Sequence, residues 1–190
     1  MDATLPPISK TITLVGLMGA GKTSVGKRLA QHMKLPFTDA DTEIEEAAGE
    51  TVDEMFERHG EAFFRDGERR VIARLVDGPP RVLATGGGAF MDAGTRALLL
   101  AETVTIWLRA DVDILLARVA RRNNRPLLKS GDKRATLERL IAERYPVYAE
   151  AAITVESGDG PPEDMVERVL DALRQHEIAR APPEKPGPAQ

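Results

Sequence analysis

Residues 16–23 of the chain read GLMGAGKT, which matches the pattern G-x-x-x-x-G-K-[ST]. An apolar segment, Thr11–Val15, comes directly before this motif, and a segment with helical character, Lys22–Met33, begins inside its end. Glycines at this spacing let a loop wrap closely around an anion with backbone N–H groups pointing inward, and the following helix adds the positive end of its dipole. The pattern therefore predicts a strand–loop–helix unit that binds phosphate.

Two side chains of this phosphate loop (residues 16–23) have expected roles with a nucleotide. The Lys22 ammonium can reach the β- and γ-phosphates of a nucleoside triphosphate, and the Thr23 hydroxyl can ligate Mg²⁺. The alternative is a glycine-rich turn that only caps a helix. The position of the motif between a strand and a helix favours nucleotide binding, because the motif requires that context.

The rest of the chain alternates between expected strands and helices. The strands lack strict polar alternation, as expected of strands buried on both faces, and they are Thr11–Val15, Pro36–Asp39, Val82–Thr85, Val104–Leu108 and Ala152–Val155. The helical segments are Lys22–Met33, a group between Asp41 and Val76, Ala93–Leu100, Val112–Arg121, Lys133–Tyr148 and Pro162–Gln175. This order predicts an α/β fold with a parallel sheet covered by helices on both sides.

Two segments fit the alternation poorly and are candidates for insertions that bind substrate. Residues 41–68 are helical and charged, with breaks expected at Gly49, Gly60 and Gly67. Residues 122–132 are polar and contain both a proline and a glycine, as lids and substrate loops often do. Residues 181–190 read APPEKPGPAQ and are expected to be disordered, which leaves residues 1–180 as one domain.

Composition excludes several classes of protein. With no cysteine, neither a disulfide nor a thiolate zinc site can hold the fold, which fits a reducing, cytoplasmic location. A net charge of −4 is unfavourable for general nucleic-acid binding. Residues 1–10 lack an apolar signal core, and no segment approaches the roughly 18 apolar residues of a membrane span. We expect a cytoplasmic monomer that contacts neither nucleic acid nor membrane.

Further motifs distinguish among phosphate-loop proteins. The N-K-x-D sequence with which GTPase switches read guanine does not occur in the chain. The third expected strand is followed by Gly86, Gly87 and Gly88, whereas large ATPases carry a single Asp at the end of such a strand. Bare backbone at a strand end suits the close approach of a compact ligand, although a flexible turn would have the same sequence.

Two acidic residues, Asp39 and Asp41, lie at the end of the second expected strand. Residues two apart on an extended segment point the same way, and ligands of open parallel sheets bind beyond the C-terminal strand ends. Both carboxylates are therefore expected to face the phosphate loop, one near hydrated Mg²⁺ and the other at a substrate hydroxyl. Asp41 could instead serve only as the N-cap of the next helix.

Taken together, the motifs resemble those of the shikimate kinase family. Besides the phosphate loop, they read FTDAD at 37–41, FERHGEAFFR at 56–65, TGGG at 85–88, RPLL at 125–128 and RYPVY at 144–148. They occur in the order of that family and together cover residues 11–150. The resemblance implies a phosphate-loop NTPase of the nucleoside-monophosphate-kinase type: a five-stranded parallel sheet in a three-layer fold, a substrate-binding region near 40–68 and a lid near 120–132.

The resemblance also implies substrates and residue roles. ATP with Mg²⁺ would be the phosphoryl donor and shikimate the acceptor, with Lys22, Asp41 and Arg125 as catalytic residues. Residues implied at the nucleotide and metal are Gly19, Ala20, Gly21, Lys22, Thr23, Ser24, Arg121 and Arg125, with Thr23 and Asp39 at the metal. Residues implied at shikimate are Asp41, Arg65, Gly86, Gly87, Gly88 and Arg144, the two arginines at its carboxylate.

One segment departs from the family pattern. Residues 156–161 read ESGDGP, which is acidic and has no arginine, whereas the family usually presents a longer, often basic segment to adenine after the fifth strand. Arg121 is then a candidate for stacking on the base.

The arginines also have structural interpretations. Arg65 could pair with Glu61 four residues earlier on a helix, and Arg121, Arg125 and Arg144 could be solvated charges. The family spacing favours function for Arg65, Arg125 and Arg144, because the planar guanidinium matches carboxylate and phosphate oxygens. Two rival functions stay open: a gluconate- or nucleotide-type kinase with another substrate pocket, and a non-catalytic nucleotide-binding module.

Overall fold

The computed structural model describes residues 9–120 and 132–180. Its strands are β1 (Ile12–Val15), β2 (Phe37–Asp39), β3 (Val82–Ala84), β4 (Val104–Arg109) and β5 (Ile153–Glu156). They form one sheet in the order β2–β3–β1–β4–β5, in which every neighbouring pair is parallel. All five expected strands are confirmed, each within one residue of its predicted ends.

Helices cover both faces of this sheet. They are α1 (Lys22–Met33), α2 (Ala40–Ala48), α3 (Val52–Val76), α4 (Ala93–Glu102), α5 (Val112–Ala120), α6 (Lys133–Tyr148) and α7 (Pro162–Arg180), with a 3₁₀ turn at Ala89–Met91. α1 packs against α7, and α3 packs against α4. Because parallel crossovers are right-handed, these two pairs lie on opposite faces, which confirms the three-layer α/β fold.

The register of the central strands positions the site. Leu14 of β1 and Asp39 of β2 are both partners of Ala84 in β3. The chain segments that leave these three strands therefore start from one edge of the sheet. β1, β3 and β4 have side chains buried on both faces, as central strands of a parallel sheet require, whereas burial alternates along the edge strand β5.

The region between Asp41 and Val76 is more regular than the sequence suggests. α2 ends at Gly49, whose φ of 70° suits glycine, and α3 begins at a capping box between Thr51 and Glu54. Gly60 interrupts the helical conformation with φ 81° and ψ 171°. The break expected at Gly67 is wrong, because Gly67 lies inside a helix anchored by the buried positions on either side of it.

Several predictions fall outside the described residues. These are Arg121, Arg125, most of the expected lid at 120–132 and the tail at 181–190. Within residues 9–120 and 132–180, no helix is long and apolar enough to cross a membrane.

Candidate active site

The phosphate loop joins β1 to α1 through three glycines with positive φ. Gly16, Gly19 and Gly21 have φ values of 141°, 82° and 99°, which residues with side chains rarely adopt. Gly21 precedes the first residue of α1 and has no side chain with which to cap the helix. The first N–H groups and the positive dipole end of α1 therefore form an anion site.

Lys22 and Thr23 begin α1 beside this loop. Lys22 Nζ donates to the carbonyl oxygens of Gly16 (2.7 Å) and Leu17 (3.0 Å). Thr23 Oγ1 donates to Asp39 Oδ2 at 2.9 Å, so a hydroxyl and a carboxylate lie side by side at the start of α1. Both are hard oxygen ligands of the kind Mg²⁺ prefers.

The acidic groups around Thr23 and Asp39 indicate how these two residues could bind Mg²⁺. Across the two described ranges, no group of three or more His, Asp or Glu side chains could hold a metal ion. Mg²⁺ usually binds through one or two protein oxygens together with water and substrate phosphates. Thr23 and Asp39 fit that mode of binding.

Asp39, and not Asp41, caps the helix after β2. Asp39 Oδ1 accepts a hydrogen bond from Asp41 N at 3.2 Å, and Asp41 is the second residue of α2. The interpretation of Asp41 as only an N-cap is therefore wrong, and so is its placement on an extended segment. Asp41 Oδ1 lies 2.7 Å from the point where a Cβ on Gly86 would stand, so the carboxylate faces the end of β3.

The glycines after β3 lie against two guanidinium groups. A Cβ on Gly88 would stand 2.6 Å from Arg65 Nη1 and 2.7 Å from Arg65 Cζ. A Cβ on Gly87 would stand 3.3 Å from Arg144 Nη1. Gly88 has φ −95° and ψ −17°, which any residue can adopt. Steric space for the arginines, rather than an unusual backbone, explains the glycine at position 88.

Arg144 and Tyr148 of α6 both bind the carbonyl oxygen of Gly87. Arg144 Nη1 donates to it at 3.0 Å, and the Tyr148 hydroxyl donates to the same oxygen. Tyr148 is completely buried, and burial raises its pKa to about 12 despite the opposing effect of Arg144 and Arg65. The hydroxyl therefore stays protonated and donates at any physiological pH.

Arg65 has a stronger partner than the predicted Glu61. Arg65 Nη1 lies 2.6 Å from Glu68 Oε2, whereas Glu61 Oε1 is 3.4 Å from Arg65 Nε. Burial by itself would lower the pKa of Arg65, but Glu68 and Glu61 raise it above its ordinary value. The guanidinium is therefore held charged beside Gly88.

Sequence reasoning missed Glu68, whose side chain is only 2% exposed. Burial raises the pKa of Glu68, Arg65 lowers it, and Asp41 raises it further. Its Oε1 has no hydrogen-bond partner among the described residues and lies 3.2 Å from the Cβ position of Gly86. The available signal was an acid at a helix position that falls in the buried stripe with Phe64 and Ile72.

Arg118 of α5, also missed, connects the phosphate loop to the segment after β5. Its Nη1 donates to Ala20 O (3.3 Å) and Ser157 Oγ (2.8 Å), and its Nη2 donates to Gly158 O (2.6 Å). The sequence shows only one basic residue in a largely apolar segment, and in the structure the neighbouring Val119 side chain would lie 3.0 Å from a Cβ on Gly19. Arg121, which the sequence suggested for stacking on the base, lies outside the described residues.

A cavity of about 380 Å³ links these features, a size within the usual range for small-molecule sites. It runs from Asp41 and Gly87, past the phosphate loop, to Arg118 and the 157–162 segment. Of the expected site residues, those lining it are Gly19, Ala20, Gly21, Lys22, Thr23, Ser24, Asp39, Asp41, Gly86 and Gly87. Arg65, Gly88 and Arg144 adjoin its glycine end, and Arg125 lies outside the described residues.

Comparison with known proteins identifies the family. The family model for shikimate kinase matches residues 18–174. A shikimate kinase of Bradyrhizobium diazoefficiens is 56% identical over 178 residues, which cover 92% of this chain and 86% of that protein. One from Caulobacter vibrioides is 57% identical over 174 residues, which cover 92% of this chain and 87% of that protein. The chain belongs to the shikimate kinase family.

Solved structures agree with membership in the shikimate kinase family. Shikimate kinase from Acinetobacter baumannii in complex with shikimate superposes with a TM-score of 0.86 at 37% identity, over 90% of this chain and 97% of that one. A gluconokinase from Sinorhizobium meliloti gives a TM-score of 0.59 at 17% identity, over 92% of this chain and 98% of that one. The second match shows a shared fold alone, so the gluconate-type alternative gains no support from it.

Proposed function

We propose that the chain transfers the γ-phosphoryl group of ATP to the 3-hydroxyl of shikimate, giving shikimate 3-phosphate and ADP. The observation that carries the proposal is the convergence of Asp41, Arg65 and Arg144 on the glycines after β3, beside the phosphate loop. A carboxylate suits the reacting hydroxyl, and two guanidinium groups suit a carboxylate. Membership in the shikimate kinase family supports the same reaction.

The phosphates of ATP are proposed to bind residues 19–24. Lys22 exchanges its contacts with Gly16 and Leu17 for the β- and γ-phosphate oxygens. Thr23 is proposed to ligate Mg²⁺ directly, and Asp39 is proposed to reach it through water. Mg²⁺, when bound, neutralises charge on the phosphates.

The adenine base of ATP is proposed to lie between Arg118 and the 157–162 segment, at the end of the cavity opposite Asp41 and Gly87. A planar guanidinium can stack on an aromatic base, and Pro161 and Pro162 offer apolar surface on the other side. This arrangement would replace the basic segment that the chain lacks after β5.

The acceptor is proposed to lie with its carboxylate at Arg65 and Arg144 and its 3-hydroxyl at Asp41. Glu68 holds Arg65 in place through the 2.6 Å ion pair. The hydroxyl oxygen attacks the γ-phosphorus, ADP leaves, and Asp41 accepts the proton late in the step. Most of the acceleration then comes from positioning and charge neutralisation.

Two parts of the proposal concern residues outside the described ranges. Arg125 is proposed to reach the ATP phosphates from a lid at 120–132, and residues 1–180 are proposed to form one kinase domain. Closure of such a lid would exclude water from the transferring group.

The direct test is ADP release with shikimate as the sole acceptor, run beside gluconate and nucleoside monophosphates. We expect turnover with shikimate, and a fall of several orders of magnitude in Lys22→Met with an unchanged melting temperature. Turnover only with another acceptor would refute the assignment of substrate. ATP binding without turnover on any acceptor would support a non-catalytic module.

A second test uses the charge of the acceptor. Methyl shikimate keeps the hydroxyls but lacks the carboxylate charge, so Arg65 and Arg144 should favour the acid over the ester. A hydrogen bond to a charged group is worth about 1.5–3 kcal/mol, which corresponds to roughly 10- to 150-fold in kcat/KM. An enzyme that uses both compounds equally would show that the arginines serve another purpose.

A further inference from the structure

We infer that Tyr148 is a positioning residue for the acceptor's carboxylate, acting through the Gly87 carbonyl and Arg144. The inference rests on the proposed function. Its basis is that two side chains one turn apart on α6 donate to one backbone oxygen at the glycine end of the cavity. One of them, Arg144, is proposed to touch the acceptor, and the other, Tyr148, is completely buried.

The shared oxygen limits how each donor can move. A carbonyl oxygen has two lone pairs, and here Arg144 Nη1 and the Tyr148 hydroxyl each use one. Arg144 is anchored through this nitrogen, which leaves its other N–H groups for a carboxylate. If the Tyr148 hydroxyl were missing, Arg144 would be left as the side chain that holds the Gly87 peptide among residues 9–120 and 132–180. The peptide and the guanidinium could then rotate together away from the binding geometry.

The ring of Tyr148 is fixed by its surroundings. Its centroid lies 6.0 Å from that of Trp107 and 6.4 Å from that of Phe90. Both neighbours are buried, so the hydroxyl occupies one place relative to the sheet. The Gly87 peptide is thereby tied to the core rather than to a flexible loop.

The test is Tyr148→Phe, which removes only the hydroxyl. Tyr145→Phe is a matched control, because Tyr145 lies on the same helix and also donates its hydroxyl to a backbone carbonyl, that of Ala110. Each variant loses one hydrogen bond from a tyrosine hydroxyl to a backbone carbonyl. Only the hydrogen bond of Tyr148 lies at the glycines that follow β3. For each we would measure KM for shikimate and for ATP, kcat, and the ratio of kcat/KM for shikimate to that for methyl shikimate.

We expect Tyr148→Phe to raise KM for shikimate about 3- to 10-fold, the factor a neutral hydrogen bond is typically worth. kcat and KM for ATP should stay within about twofold, and the acid-to-ester ratio should fall by the same factor as the KM rises. That ratio does not depend on the fraction of folded enzyme, so it remains informative if the variant is less stable. Tyr145→Phe should leave the ratio unchanged.

Two results would overturn the inference. An unchanged acid-to-ester ratio in Tyr148→Phe would mean that the hydroxyl does not position the carboxylate site. An equal fall of the ratio in Tyr145→Phe would mean that loss of packing in α6 is responsible. A wild-type enzyme that fails to phosphorylate shikimate would instead refute the proposed function, and the inference would fall with it.

Discussion

Replacing Gly88 with alanine adds one methyl group beside the guanidinium of Arg65. The new Cβ would stand 2.6 Å from Arg65 Nη1 and 2.7 Å from Arg65 Cζ. Favourable contacts between heavy atoms lie at about 3.5–4.0 Å, so the guanidinium must move by about 1 Å. The backbone needs no adjustment, because φ −95° and ψ −17° are available to alanine. The change therefore acts on one functional group.

The size of the effect follows from what Arg65 is proposed to bind. Loss of a hydrogen bond to a charged group costs about 1.5–3 kcal/mol, or roughly 10- to 150-fold in kcat/KM for shikimate. Stability should change little when the guanidinium shifts at the free end of its side chain and keeps its ion pair with Glu68. Alanine also lowers the conformational entropy of the unfolded chain, which stabilises the fold by about 0.4–1 kcal/mol. We expect the melting temperature to stay within about 4 °C of the wild type.

The assay is steady-state ADP release with shikimate and ATP varied in turn. Gly67→Ala is the matched control, because Gly67 lies inside α3 two residues from Arg65 and a Cβ there would meet no atom within 4 Å. It should keep full activity and gain up to about 1 kcal/mol of stability from helix propensity. In an Arg65→Ala background, Gly88→Ala should add no further loss, because both changes act on one interaction.

Either of two results would refute this reasoning. Gly88→Ala with kcat/KM for shikimate near the wild-type value would mean that the position of Arg65 does not matter for the acceptor. The same loss in the presence and absence of Arg65 would mean that the methyl group acts on the backbone instead. The first result would leave Arg65 as an ion-pair partner of Glu68, and the second would remove Gly88→Ala as a probe of Arg65.

Three further predictions concern other parts of the site. Asp41→Asn should lower kcat by about 10²–10⁴-fold at an unchanged melting temperature, because Asp39 caps the helix; retained activity would contradict Asp41 as the base. Arg118→Ala should raise KM for ATP by about 3- to 30-fold, as expected from loss of a cation–π contact with adenine, and leave KM for shikimate unchanged. A raised KM for shikimate with an unchanged KM for ATP would exclude Arg118 from the adenine site. Tyr148 has a folded-state pKa of about 12 against an ordinary 10, so its stabilisation is complete below pH 10 and declines as pH rises through 12. Denaturant unfolding should show the wild type losing about 2 kcal/mol relative to Tyr148→Phe between about pH 9 and pH 12, whereas parallel curves would contradict the raised pKa.

The features that could be predicted from sequence are those encoded within a short stretch of chain. The strands follow from apolar runs, and the phosphate loop follows from the spacing of Gly16, Gly21 and Lys22. The separate roles of Asp39 and Asp41 were harder to predict, because either aspartate of the DAD sequence can cap a helix. The helix begins at Ala40, which makes Asp39 the cap and turns Asp41 toward Gly86.

Glu68 and Arg118 could not be assigned from sequence, Glu68 because its role depends on burial and Arg118 because its partners are distant along the chain. On a helix, Arg65 has possible acidic partners in both directions, and only burial distinguishes the nearly inaccessible Glu68 from the exposed Glu61. In the sequence Arg118 is the one basic residue of the largely apolar segment that forms α5, and its role becomes visible when α5 packs against Gly19. The N–H groups of its guanidinium then donate to Ala20 O and Gly158 O, in two loops that are far apart in the sequence.

The glycine run after β3 combines three separate steric requirements. Asp41 Oδ1 is 2.7 Å from the Cβ position of Gly86, Arg144 Nη1 is 3.3 Å from that of Gly87, and Arg65 Nη1 is 2.6 Å from that of Gly88. These partners come from α2, α6 and α3, so no single local feature of the chain demands all three glycines. A turn that needed only flexibility would tolerate alanine equally at each position. The distances instead order the positions, with Gly87 the most tolerant. With the roles proposed for Asp41 and Arg65, substitution at Gly86 should affect the reacting hydroxyl of shikimate and substitution at Gly88 its carboxylate.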